Sequence, residues 1–382
     1  MFRFRRNMSE LRVAFVGCGK VAGEYLSVYR DLDWVRVVTC VDTRPEAAEA
    51  AATIIGQGNG SARPEVSADY ASALSPEVDV VVINTPNHLH HAQAIAALEA
   101  GKHVLLQKPV APTIEEAEEI SRAASRARGI SGLYMSYFDQ PLLRDLKDMI
   151  AAGWFGDVGH YYARLMHRWG HVWSRQFYDG VGDGDGNWRA SATQTGGGCF
   201  VQLAVHYIHL LEWMSDERIV RATAVAKNLY SPRVEGEDLA TALLEFESGA
   251  VATLDMAWSF HGEQLSIHGA EGSAEYINNN TLILESKAEL FKGRVVNYAA
   301  ASPPSSALSG TERTFKVIPP DKGDHTNPLN QHRAFLEAVR DGASPFVPIS
   351  SGVRDLRVVA AVYESARRGC AVTIERETRP GG

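Results

Sequence analysis

Two sets of residues in this 382-residue chain combine types and spacing suited to chemistry. Lys108 stands directly before Pro109, at the end of a short apolar stretch over residues 103–106. A lysine there can hold a hydroxyl oxygen and lower the cost of negative charge developing on it. Much later, Gly196-Gly197-Gly198 precedes a run over 200–214 in which Gln202, His206 and His209 interrupt an apolar sequence before Glu212. At about 100° per residue these three fall within a roughly 60° arc of a helix. A helix apolar on nearly all sides is buried, and an unpaired polar group inside a protein costs about 1–3 kcal/mol. The stripe therefore faces partners or a cavity. An imidazole suits proton transfer at neutral pH, which makes His206 a candidate acid/base. The Gln202 amide does not titrate in the usable range, so it orients by hydrogen bonds alone.

Competing readings of these residues are weaker. The stripe can be three satisfied core residues. A metal on His206 and His209 lacks a carboxylate or cysteine at ligand spacing, and no metal is expected. Asp183, Asp185 and Asn187 alternate as in a calcium loop, but Trp188 takes the place of the required glycine and Gln194 that of the closing glutamate. Residues 180–187 read instead as a flexible lip leading to Trp188 and Arg189, which are candidates for substrate contact.

These residues need a scaffold, and the first third of the chain spells one. The apolar run 13–16 leads into Gly17-x-Gly19-x-x-Ala22, followed by a helix-compatible segment. In this dinucleotide-binding fingerprint Gly17 allows a sharp turn, Gly19 lets a pyrophosphate approach the backbone, and Ala22 packs helix against sheet. The N–H groups of Lys20 and Val21 open the helix toward the phosphates. A second apolar strand over 35–41 ends at Asp42, where a carboxylate can bind ribose hydroxyls and repel a 2′-phosphate. NAD is thus expected over NADP, although Arg44, beyond Thr43, could meet that phosphate. Further strands are expected over 78–84 and 103–106, with helices over 24–30, 45–55, 92–100 and 114–127. Such alternation predicts a doubly wound parallel sheet with ligand groups at the strand carboxyl ends. Those ends carry Gly17, Asp42, Thr85-Pro86-Asn87 and Gln107-Lys108-Pro109.

From about Tyr134 the pattern changes to β-rich stretches over 159–168, 220–229, 239–260, 264–268 and 282–285, with turns such as Ser248-Gly249. Consecutive strands joined by short turns predict an α+β domain with a large open antiparallel sheet. Helices over 328–340 and 353–368 close the chain, and residues 301–310 read as a Ser/Pro-rich loop. The expected division is 8–133 and 134–382. Met8 is a plausible natural start, with residues 1–7 a lead-in. The runs from Thr241 and from Ala252 are read as leaving apolar residues on the uncovered sheet face, which predicts a homodimer or homotetramer packed sheet to sheet.

Composition narrows the class. The net charge of −8 and isoelectric point near 5.9 argue against a nucleic-acid or anionic-membrane surface. Cys18, Cys40, Cys199 and Cys370 form no C-x-x-C pair, which points to reduced thiols and a cytoplasmic protein. No apolar run is long enough to span a bilayer.

The chain resembles the glucose–fructose oxidoreductase and inositol dehydrogenase family of NAD(P)-dependent oxidoreductases over nearly its whole length. The resemblance rests on the fingerprint, Asn84-Thr-Pro-Asn-His-Leu-His90, Gly101-Lys-His-Val-Leu-Leu-Gln-Lys-Pro109, the triple glycine with its helix, and the ending Ala361-Val-Tyr-Glu-Ser-Ala-Arg-Arg-Gly369. The family's Glu-Lys-Pro appears here with Gln107. Its Gly-Gly-Gly-x-x-x-Asp-x-Gly-x-His-x-x-Asp appears with Gln202, Ala204, His206 and His209. The lysine and histidine are kept and the two helix acids are not. The resemblance implies that Lys108 and His206 meet a substrate hydroxyl beside the nicotinamide, that Gln202 and His209 take the places of substrate-side acids, and that His90 lies on the cofactor side with His88 and His91 solvated. The reading is hydride transfer between nicotinamide and a secondary alcohol or ketone of a sugar, sugar derivative or cyclitol. Alternatives are an NAD-dependent redox-elimination glycosidase and a non-catalytic sugar- and dinucleotide-sensing regulator.

Overall fold

The computed structural model describes residues 10–58, 62–168, 188–277, 281–287, 299–300, 311–317 and 330–375. The expected lead-in 1–7, the lip 180–187, the loop 301–310 and the start of the helix at 328 lie outside them. The chain divides into two units, Met1–Asp139 with Asp321–Arg354, and Gln140–Pro320 with Asp355–Gly382. They are discontinuous, unlike the single boundary between 133 and 134 read from the sequence.

The first unit holds six strands: β1 Leu11–Val16, β2 Val35–Val41, β3 Glu65–Ser67, β4 Val80–Ile83, β5 His103–Gln107 and β6 Ser131–Tyr134. They lie in the order β3-β2-β1-β4-β5-β6, every pair parallel. This is the doubly wound arrangement expected, and the order reverses between β1 and β4, where such sheets open a ligand crevice. β4 is buried at all four positions, as a strand covered on both faces must be. Local chemistry sets the helices between strands. Pro45 opens Pro45–Gly56 at its first turn, and the Thr113 hydroxyl caps Ile114–Arg126 by accepting from the Glu116 N–H at 3.2 Å.

The helix Gln331–Asp341 belongs to this unit and buries its apolar face in it. Phe335, Leu336 and Val339 join the core formed by Phe15, Tyr25, Tyr29 and Val37. His332, on the same helix, is enclosed by Tyr25, Tyr29 and Tyr134, and its Nδ1 lies 2.6 Å from the Tyr29 hydroxyl. No local sequence pattern announces so distant a partner.

The second unit contains β7 Val158–Met166, β8 Ile219–Lys227, β9 Leu239–Phe246, β10 Val251–Ala257, β11 Gly262–Gly269, β12 Ser273–Ile277, β13 Thr281–Lys287, β14 Ala299–Ala300, β15 Thr311–Val317 and β16 Val372–Thr373. Their order is β14-β15-β13-β12-β11-β7-β10-β9-β8-β16. Neighbours are antiparallel except β7 and β10, which run parallel. A parallel pair needs a long crossover, and the helix Cys199–Ser215 lies within the stretch that joins them. That helix packs on β7, β9 and β10 and is buried on almost every side, as its sequence requires.

The sheet's side-chain alternation corrects one expectation. Ala242, Leu244, Phe246, Ala252, Leu254 and Met256 turn to the buried face. The other face carries Thr241, Glu245, Thr253 and Asp255, with Leu243 and Val225 its exposed apolar residues on β9 and β8. Period 2 puts most apolar members of both runs inside, and Leu243 is the exposed exception on that other face.

Candidate active site

In the first unit the candidate residues gather at strand ends. Gly17 has φ +81°, and a Cβ there would sit 2.7 Å from the Asn84 carbonyl carbon and the Thr85 nitrogen. The fingerprint's first glycine is thus required by the end of β4 as well as by the turn. At Gly19 a Cβ would approach only the Arg44 guanidinium, at 3.6 Å. The space over that backbone is open, as a bound phosphate needs. Ala22 is buried against the core, Val21 is half-buried and Lys20 is exposed.

Asp42 is fixed at the end of β2. Its carboxylate accepts from the Cys18 N–H at 2.8 Å and the Arg44 N–H at 2.9 Å, and Arg44 Nε lies 3.6 Å away. A carboxylate has about four lone-pair sites, so two backbone bonds leave room for ribose hydroxyls. The same carboxylate tethers Arg44, the one residue expected to favour a 2′-phosphate. Thr43, between them, is exposed.

His90 is packed between the ends of β4 and β5. Its ring is fully buried, with Nδ1 2.8 Å from the Pro109 carbonyl oxygen and Nε2 2.9 Å from that of Thr85. Burial pushes its pKa down to about 4, so the ring is neutral at physiological pH. A neutral ring carries one N–H, so His90 donates to one of these two carbonyls while it sits between Thr85 and Pro109. Thr85 Oγ1 donates to Gln93 Oε1 at 2.6 Å, Asn87 is buried in the first turn of the helix Asn87–Glu99, and Gln107 Oε1 accepts from the Lys108 N–H at 3.0 Å. Lys108 is half-buried and the Lys108–Pro109 peptide is cis. His88 and His91 are less solvated than expected. Burial lowers the pKa of His88, and His91 Nε2 lies 2.7 Å from Glu119.

In the second unit the triple glycine and its helix form a closely fitted start. Glu237 accepts from the Gly198 N–H at 3.0 Å and the Phe200 N–H at 2.7 Å through its carboxylate, and from the Cys199 N–H at 2.8 Å through its carbonyl. The Val201 N–H donates to the Tyr363 hydroxyl at 3.1 Å. The N–H groups that a helix start leaves without partners are all satisfied. A Cβ on Gly197 would strike the Tyr363 hydroxyl, and one on Gly198 the Glu237 backbone. Only glycine fits at either place.

Along this helix Gln202 and His206 are buried. His209 is committed elsewhere: Nδ1 lies 3.0 and 3.1 Å from the two carboxylate oxygens of Asp355. Burial alone would lower the His209 pKa, but the charge and hydrogen bond of Asp355, aided by Glu212, raise it. Glu212 in turn accepts from Arg218 at 2.7 Å and the Ile219 N–H at 2.9 Å. Of the stripe expected on the substrate side, His209 is thus held in a buried pair with Asp355. Trp188 and Arg189 are half-buried, and the guanidinium stacks 4.3 Å over the indole.

Asp355, Glu237 and Tyr363 escaped the reading of the sequence. Tyr363 lay inside the quoted ending without a role, while Asp355 is 146 residues from His209 and carries no local signal. Among the described residues no group of three His, Cys, Asp or Glu side chains is arranged to hold a metal ion, and no helix is long and apolar enough to cross a membrane.

Comparison with known proteins completes the picture. Residues 11–134 match the family description "Oxidoreductase family, NAD-binding Rossmann fold", and residues 143–275 match "GFO/IDH/MocA C-terminal domain". The chain is 29% identical over 370 residues to 1,5-anhydro-D-fructose reductase of Ensifer adhaerens, covering 95% of this chain and 98% of that one. It is 24% identical over 372 residues to the NAD(+)-dependent scyllo-inositol 2-dehydrogenase of Bacillus subtilis, covering 96% and 97%. A solved structure of levoglucosan dehydrogenase with NADH and levoglucosan superposes with a TM-score of 0.77 at 22% identity, covering 96% and 99% of the two chains.

Proposed function

The chain belongs to the GFO/IDH/MocA family of NAD-binding oxidoreductases, and on that premise we propose that it interconverts a secondary alcohol and a ketone on a sugar, sugar derivative or cyclitol. The single observation that carries this reading is the strand-end cradle of the first unit, with Gly17 pressed on Thr85, open space over Gly19 and Asp42 held at the end of β2. Nicotinamide, when bound, supplies the hydride acceptor or donor. The residues fit it: Gly17, Gly19, Lys20, Val21 and Ala22 would lie along the pyrophosphate, Asp42, Thr43 and Arg44 beside the adenosine ribose, and Thr85, Pro86, Asn87, Gln107 and Lys108 along the inner end.

Lys108 then holds the reacting hydroxyl and supports charge developing on its oxygen. His206 takes the hydroxyl proton in oxidation and returns it in reduction. Gln202, one turn earlier, orients neighbouring hydroxyls. Trp188 and Arg189 form a stacked platform suited to the rest of a polyol. Relatives acting on an anhydro sugar and on an inositol support a cyclic polyol substrate. NAD is favoured because Asp42 opposes a 2′-phosphate and also restrains Arg44.

The protein is further proposed to be cytoplasmic, on its free cysteines, and to form a dimer or tetramer through the open sheet face bearing Val225 and Leu243. The test of function is a panel of monosaccharides, anhydro sugars, cyclitols and sugar lactones with NAD and NADP, or their reduced forms, read by absorbance of reduced nicotinamide. Turnover of a polyol supports the reading, and absence of turnover across the panel with either cofactor contradicts it.

A further inference from the structure

The ending 361–369 has a place in the sequence pattern but none so far in the chemistry. Tyr363 gives it one. Its hydroxyl accepts from the Val201 N–H at 3.1 Å and donates to Glu237 Oε1 at 2.9 Å. The same Oε1 accepts from the Phe200 N–H at 2.7 Å, and Oε2 from the Gly198 N–H at 3.0 Å. Two side chains 126 residues apart thus take three of the first four N–H groups of the helix that carries Gln202 and His206. The glycines allow this closeness, because a Cβ at 197 or 198 would collide with Tyr363 or Glu237, and one at Gly236 with Gly198.

We propose that Tyr363 and Glu237 are positioning residues for proton transfer: they fix the height and rotation of the helix Cys199–Ser215, and so of Gln202 and His206, against the substrate. This rests on the reading of His206 given above. His206 lies about 10 Å along the axis from the helix start, so a rigid helix carries any tilt or slip at that start to the imidazole. A catalytic group misplaced by about 1 Å can cost about 10²-fold in rate. A buried carboxylate at a helix start also complements the helix dipole, which makes it a firm anchor. Ordinary helix capping needs one side-chain oxygen; here a carboxylate and a phenol from distant segments are interlocked.

The test compares Tyr363→Phe and Glu237→Asp with Ser365→Ala as the control. Ser365 lies on the same helix as Tyr363, but its hydroxyl joins the Ala224 N–H and the Cys370 carbonyl, away from the helix start. Measured quantities are kcat and KM with the best polyol of the panel, the Kd for NAD, the melting temperature, and hydrogen exchange at residues 198–201. The expected result is faster exchange at 198–201 and kcat down tenfold or more in Tyr363→Phe, with the NAD Kd within threefold and any rise in polyol KM smaller than the fall in kcat. Glu237→Asp should do the same, while Ser365→Ala keeps kcat within twofold at a comparable loss of melting temperature. If exchange rises but kcat stays within twofold in both variants, the pair is only structural and this proposal alone is overturned. If kcat falls equally in Ser365→Ala at matched melting temperature, the effect is general loosening and the proposal is again overturned. If the wild-type enzyme turns over no polyol, the functional reading fails and this inference falls with it.

Discussion

The Nδ1 atom of His209 lies 3.0 Å from a carboxylate oxygen of Asp355, in a pair whose side chains are 15% and 3% exposed. His209 follows His206 by three positions, on the same side of the helix. One member of a polar stripe that reads as ligand-facing is therefore held by an acid of another helix. Where the family pattern has an acid on the helix, this chain has a histidine there and an acid on another helix.

The pair makes a prediction about stability. The His209 pKa is raised above its ordinary 6.5, so its contribution is fully present below that pH and is lost as pH rises through the folded-state value. Asp355→Asn removes the charge that raises it. The variant should lose about 3 kcal/mol near pH 6, as expected when a buried pair is broken, and less at pH 9. Calorimetric melting across that range checks this, and an equal loss at both ends would contradict it.

On the acid side the first unit should weaken for the opposite reason. Burial depresses His90 to about 4 and His332 to about 3 from an ordinary 6.5. The unfolded chain binds protons below pH 6.5 while these rings do not, so stability falls as pH drops from there toward 4, by up to about 1.4 kcal/mol per pH unit for each ring. His332→Phe keeps a ring among Tyr25, Tyr29 and Tyr134 and removes the titration. Its melting temperature should fall less steeply with acid than that of the wild type; an unchanged slope would remove His332 from the account.

Cofactor choice tests Asp42. The wild-type enzyme should favour NAD over NADP by tenfold or more in kcat/KM. Asp42→Ser should erase most of that preference, by removing the charge that opposes a 2′-phosphate and by releasing Arg44, whose Nε is 3.6 Å from the carboxylate. Because the same carboxylate holds the Cys18 N–H, NAD affinity should also fall. Retained NAD selectivity in the variant would show that another residue reads the ribose.

The fingerprint glycines, Asp42 and the apolar helix were legible because each reflects local physics: a turn, a strand end, a period. Pairings between distant segments were not. Nothing near His209 points to Asp355, nothing near Gly198 points to Tyr363, and nothing near His332 points to Tyr29. His90 was legible as a motif member, but its burial between the Thr85 and Pro109 carbonyls needs both turns in place. The apolar runs on β9 and β10 show the converse. Their pattern was visible, yet which face is covered follows from the helix Cys199–Ser215 packed on them.

Lys108 and Gln202 should separate by kinetic signature. Lys108→Ala should lower kcat by about 10²-fold or more, because it supports charge that develops only as the reaction proceeds. Gln202→Ala should mainly raise the polyol KM, since it binds substrate and transition state alike. Steady-state rates with the best polyol decide the matter, and the reverse pattern would exchange their roles.

The most direct measurement of the central claim is the rate of His206→Ala at saturating polyol and cofactor. Acid/base groups contribute about 10²–10⁴-fold, so kcat should fall on that scale. The Kd for NAD should stay within threefold of wild type, because the proposed cofactor cradle lies on other residues. A kcat within about threefold of the wild-type value would contradict the account and leave His206 a structural or purely binding member of its helix.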